Sequence, residues 1–233
     1  MVNILKTKKL NCSPKLGHAI QIPRRTDVLG IMRDLEPQVV NVLFPIQDLI
    51  ELLGEFVAGR FRVDVVGAVS NDVDIEDINI NAYYDPDLDE RKKVSIELVL
   101  ITNPNATHLM LDEIDWMNLC LLVADSLAHE LIHMRSFRAR GFEDVAVKHA
   151  TAFNEVPDTQ EYLADPDEIE AYAYNIAQEL QAQKNPLAKL SNLKSVSIND
   201  SLNLFAYVQT FDKDAEHPVM KRLLKKIYKH LKK

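Results

Sequence analysis

His129 and His133 stand four positions apart, with Glu130 directly after the first, in the run Asp125-Ser-Leu-Ala-His-Glu-Leu-Ile-His-Met134. On a helix, residues four apart project from one face about one turn from each other. Two neutral imidazoles are then offered to a single divalent cation. Glu130 can lean toward the open side of that cation and take a proton from a metal-bound water. The H-E-x-x-H spacing therefore points to metal-assisted hydrolysis. Histidine is scarce, with seven in 233 residues, so composition does not supply the pair.

The residues just before the motif, Trp116 to Ala124, are apolar nearly all round, the pattern of a buried helix. Such a helix would bury Asp125, His129, Glu130 and His133, at a cost of a few kcal/mol for each polar group left unsatisfied. A metal would satisfy them. The competing reading is a pair of core histidines bonded to backbone, with Glu130 reaching solvent. Asp125, one turn before His129, is placed to orient the other nitrogen of that ring.

Catalytic zinc takes three protein ligands and a water, so a third ligand is needed, with one Zn²⁺ expected per chain. An all-histidine set would need a histidine six positions after His133 and a glycine three after it. Those positions hold Ala139 and Ser136. Asp165-Pro-Asp-Glu-Ile-Glu-Ala-Tyr172 opens a later helix, with Asp165 as N-cap, Pro166 at the first helical position and Glu168 at the capping-box position. The apolar stripe Ile169, Ala173, Ile176, Ala177, Leu180 sets its inward face. Glu170 falls at the edge of that stripe and Glu168 well round toward solvent, so Glu170 is the expected ligand, with Glu168 and His149 as alternatives. The ligand types also suit other divalent metals.

Several elements must position these groups. Residues 1–25 read as a basic, irregular arm. Helical spacing follows in Val28, Ile31, Met32, Leu35 and in Ile46, Leu49, Ile50, Leu53, Phe56, broken at Pro37 and Pro45 and stopped at Gly59. The period then becomes two, over Phe61–Val69, Asp77–Ala82 and Val94–Thr102, which predicts a small, mostly antiparallel sheet. Tyr84 to Asp89 is turn chemistry. The motif helix is expected from about Asp112 to Ser136, capped near Gly141. The Asp165 helix should end near Gln183. Residues 184–216 read as loop with a short helix near Ser201–Thr210, and a basic amphipathic helix closes the chain over His217–Lys233. The fold class is α+β, with a catalytic domain over 26–184 and the 185–233 segment packed on it.

The apolar fraction of 47% is that of a globular protein, and the net charge of −8 argues against general nucleic-acid binding. No run is apolar and long enough to span a membrane. No signal peptide is read in the first ten residues, and Cys12 and Cys120 read as reduced thiols, so a cytoplasmic location is expected.

His129-Glu-Leu-Ile-His133 followed on a later helix by Glu170-Ala171 resembles the gluzincin group of zinc metallopeptidases. Glu161 to Ala173 and His217 to Lys229 are similar to phage-encoded metallopeptidase-like proteins, for which the location would be the host cytoplasm. The resemblance implies a zincin-like fold, in which a sheet edge holds extended peptide substrate beside the motif helix, and Val94–Thr102 is the strand expected there. It implies peptide-bond hydrolysis with His129, His133 and Glu170 on Zn²⁺ and Glu130 as general base. Tyr162, Tyr172, Tyr174 or His149 would supply the oxyanion donor. Arg135 stands where that family's pattern has an apolar residue, and Tyr174 where it often has aspartate. The alternative function is a non-catalytic zinc-bound structural or host-interaction protein of a phage. A third reading assigns the C-terminal basic helix to nucleic acid or anionic membrane.

Overall fold

The computed structural model describes residues 3–5, 20–143 and 159–232. The chain divides into two compact units, Met1–Met134 and Arg135–Lys233, and the division falls inside one helix.

In the first unit, β1 (Asn3–Leu5), β3 (Val63–Val69), β4 (Ile78–Tyr84) and β5 (Ile96–Thr102) form one sheet in the order β1-β3-β5-β4. β1 is antiparallel to β3 and β4 is antiparallel to β5, but the central pair is parallel, Val63 opposite Ile96 through Val69 opposite Thr102. The expected antiparallel sheet is thus a mixed one. Alternation specifies which face a residue takes and carries no strand direction. β5 is flanked on both sides and buried along most of its length, so Val94–Thr102 does not form the sheet edge. The edges are β1 and β4, and β4, which lies beside β5, alternates between half-buried and exposed residues.

Prolines start helices rather than merely breaking them. Pro37 lies in the first turn of α2 (Glu36–Val39), and Pro45, which ends β2 (Leu43–Pro45), precedes α3 (Ile46–Phe61). α3 runs through Gly59 and stops at Arg62, whose φ of 54° is left-handed. β2 pairs with β6 (His108–Met110). The turn expected at 84–89 contains α4 (Pro86–Glu90), capped by the Asp85 carboxylate 3.0 Å from the Leu88 amide.

The core of this unit joins Val28 and Met32 of α1 (Arg25–Arg33), Leu49, Ile50 and Leu53 of α3, and Leu98 and Leu100 of β5. It also takes Trp116, Leu119, Val123 and Leu127 from α5 (Glu113–Ala139). Cys120 is buried there, and burial pushes its thiol up to about 12. Cys12 lies outside the described residues.

The second unit is helical: α6 (Thr159–Ala164), α7 (Pro166–Gln181), α8 (Pro186–Ser191), α9 (Leu202–Thr210) and α10 (Pro218–Leu231), with a 3-10 turn at Leu193–Ser195. The expected loop at 184–216 therefore holds more helix than its polarity suggests. α7, α8 and α10 each begin with proline after a side-chain cap, from Asp165, Asn185 and His217. Ile176, Ala177, Leu180, Leu204, Tyr207, Leu223 and Ile227 form the core. The apolar face of α10 is buried in it, while Lys221, Arg222, Lys225 and Lys229 face solvent. No described helix is long and apolar enough to cross a membrane.

Candidate metal site

α5 carries the motif for 27 residues without glycine or proline. Asp112 caps its start, its Oδ1 accepting from the amides of Ile114 at 2.7 Å and Asp115 at 2.8 Å. Its end is a left-handed turn at Gly141, φ 67°, closed by the Phe142 amide on the Phe137 carbonyl at 2.9 Å. The Gly141 cap was legible in the sequence, while the capping role of Asp112 came from the structure. The helix is buried through its middle, so side chains on the motif turn emerge in a largely desolvated place.

His129 is 8% exposed and Glu130 9%. The rings of His129 and His133 lie edge to face with centroids 4.7 Å apart. One turn earlier, Asp125 is gripped by Arg25: Nε is 3.0 Å from Oδ1, and Nη2 pairs with Oδ2. Burial pushes the Asp125 carboxyl up from its ordinary value, and Arg25 and then His129 act against that.

Among the described residues, the group able to hold a metal ion is His129, His133 and Glu168, each offering one ligand atom, all within 4.8 Å of one another. The carboxylate in the group is Glu168, where the helical stripe had pointed to Glu170. Local geometry accounts for both. The Asp165 amide donates to the Tyr162 carbonyl at 3.1 Å, so the expected capping box with Glu168 is not what satisfies it. Asp165 caps α7 through the Asp167 amide at 2.7 Å. Cα–Cβ bonds tilt toward the helix start, so a residue in the first turn reaches beyond the helix end.

Glu170 is engaged elsewhere. His230 Nε2 lies 3.2 Å from its Oε1, Lys226 Nζ 2.5 Å from its Oε2 and Arg135 Nη2 3.9 Å from Oε1. The bond with His230, then Lys226, hold its carboxyl down at about 2, against burial. Arg135, out of pattern for the resembled family, thus has a partner on α7. Arg140 grips Asp167, donating from Nη1 to Oδ1 at 2.8 Å and from Nη2 to Oδ2 at 2.7 Å. His149, the other alternative ligand, lies outside the described residues.

The three tyrosines have different surroundings. Tyr162 interacts with Glu168: burial first, then the charge of Glu168, push its phenol up from the ordinary value. Tyr172 packs edge-on between Tyr162 and Tyr207, with ring centroids 6.5 and 5.6 Å away. Tyr174 meets the His230 ring edge-on at 5.4 Å. Sequence reasoning missed Arg25, Lys226 and His230. Arg25 had appeared as part of a basic arm, and no local pattern links it to a residue a hundred positions on.

Compared with known proteins, the chain matches no family model, no curated protein and no solved structure.

Proposed function

We propose that this chain is a zinc-dependent hydrolase that cleaves peptide bonds, with His129, His133 and Glu168 as metal ligands and Glu130 as general base. The observation that supports it is the convergence of two imidazoles and one carboxylate within 4.8 Å, beside a buried glutamate on the same helix turn. Two histidines and one carboxylate are the donor set of gluzincin-type zinc, which leaves a fourth position for water.

A bound Zn²⁺ supplies Lewis acidity and a water whose pKa is near 7. Glu130 takes the proton of the attacking water and passes it to the leaving amine. Tyr162, Tyr172 or Tyr174 would supply the donor to the developing oxyanion. β4 replaces β5 as the strand that an extended peptide would pair with, since β5 has strands on both sides.

Metal analysis of the purified protein tests the site. Near one zinc per chain in wild type, with a sharp fall in Glu168→Ala, is expected. Absence of metal from wild type after reconstitution overturns the reading. Zinc bound with no peptide cleavage, and no response to loss of Glu130, would leave a non-catalytic zinc protein instead.

A further inference from the structure

We infer that Arg25, in the first turn of α1, is a positioning residue for His129 and acts through Asp125. The inference rests on the metal-site reading and adds a residue to it from a remote part of the chain. Asp125 and His129 are four apart on α5, so their side chains are neighbours on one face. Arg25 comes from a hundred positions earlier and holds both Asp125 oxygens in a two-pronged grip. A planar guanidinium sets the plane of a carboxylate in a way that an ammonium does not.

The pair is largely removed from solvent, with the Arg25 side chain 16% exposed and that of Asp125 20%. An exposed pair of this kind would contribute little and leave the carboxylate free to swing. Here the fork holds Asp125 in one orientation, and partial burial limits the competition of water for its oxygens. An oriented carboxylate beside a metal-binding histidine selects the tautomer and ring angle that present the other nitrogen to the metal.

Anchoring of α1 alone does not call for this pair. Val28 and Met32, 2% and 0% exposed, already dock α1 in the core of the first unit. A buried ion pair is a poor anchor beside such contacts, because desolvation offsets much of its attraction. Its placement one turn from His129 is what distinguishes it.

The test is zinc affinity, measured by competition with a chromophoric chelator, together with the visible spectrum of the Co²⁺-loaded protein. Wild type, Arg25→Gln, Arg25→Lys, Asp125→Asn and the double variant Arg25→Gln/Asp125→Asn are compared. Arg25→Gln and Asp125→Asn should each weaken zinc binding by about 10- to 100-fold. The double variant should be no weaker than the worse single one, Arg25→Lys should recover part of the loss, and the cobalt bands should shift. Wild-type affinity with an unaltered cobalt spectrum in folded Arg25→Gln overturns the inference. Should Arg25→Gln fail to fold, the same result in Asp125→Asn overturns it. A wild-type protein that binds no zinc brings down the metal-site reading itself, an outcome distinct from zinc binding that ignores Arg25.

Discussion

His230 on α10 places Nε2 3.2 Å from Oε1 of Glu170 on α7, and in doing so takes up the carboxylate that the helical stripe had nominated as a metal ligand. With Lys226 on the other oxygen, Glu170 is a tie between two helices of the second unit. Glu168, two positions earlier, is the acid grouped with the histidines.

Glu168→Ala and Glu170→Ala should therefore separate. The first should lose bound zinc while folding normally. The second should keep its zinc and lose stability on the order of 1 kcal/mol, since Lys226 is partly exposed and solvent screens part of the attraction. Metal content and thermal midpoint, read on the same samples, check both. Zinc lost only in Glu170→Ala would reverse the assignment.

Glu130→Gln removes the proton acceptor but keeps the shape of the motif turn. Zinc content should stay near wild type, and the rate of peptide cleavage should drop by about 10²- to 10⁴-fold. Cleavage at the wild-type rate would remove Glu130 from the mechanism.

Asp200 gives a pH prediction away from the metal site. Lys189 Nζ is 2.8 Å from its Oδ1, and the Ser197 amide and hydroxyl donate to Oδ2 at 3.0 and 2.8 Å. Lys189 first, then Ser197, hold this carboxyl down at about 2 from an ordinary 3.8. A depressed carboxylate stabilises the fold above its unfolded value, and that contribution is lost as pH falls through the folded one. The stability gap between wild type and Asp200→Asn should be constant above pH 5 and close between pH 3.8 and about 2. Urea midpoints across that range would show it, and a gap unchanged at pH 2 would contradict it.

Gly67 on β3 marks the close packing of α3 on the sheet. A Cβ there would come within 2.5 Å of Ile50 Cδ1. Gly67→Ala should cost about 1 kcal/mol or more, within the range for overpacking. Ile50→Val, which removes Cδ1, should cancel most of that cost, and a double-mutant cycle measures the coupling. Additive losses would mean that the two residues do not meet.

Much of the scaffold could be read in advance because its causes are local. The motif helix, its cap near Gly141, the Asp165 cap and the three alternating strands each follow from residues within a turn or two of one another. Strand direction could not be read that way. Alternation in Val63–Val69 and Ile96–Thr102 is the same whether they run parallel or antiparallel, and the parallel pairing is decided by the path of the chain between them.

For the site, sequence alone determined the pair His129 and His133 and the neighbouring Glu130, because a four-residue spacing on a helix dictates a common face. For the third ligand it pointed to one short acidic run and chose Glu170 there, whereas the carboxylate grouped with the histidines is Glu168. That choice depended on Lys226 and His230, distant in the chain, drawing off Glu170, and on the nearby Tyr162 carbonyl taking the amide that Glu168 would have capped. Arg25 belongs to the same class. A charge finds its partner through space, at separations that periodicity does not encode, so only the tertiary structure could pair it with Asp125.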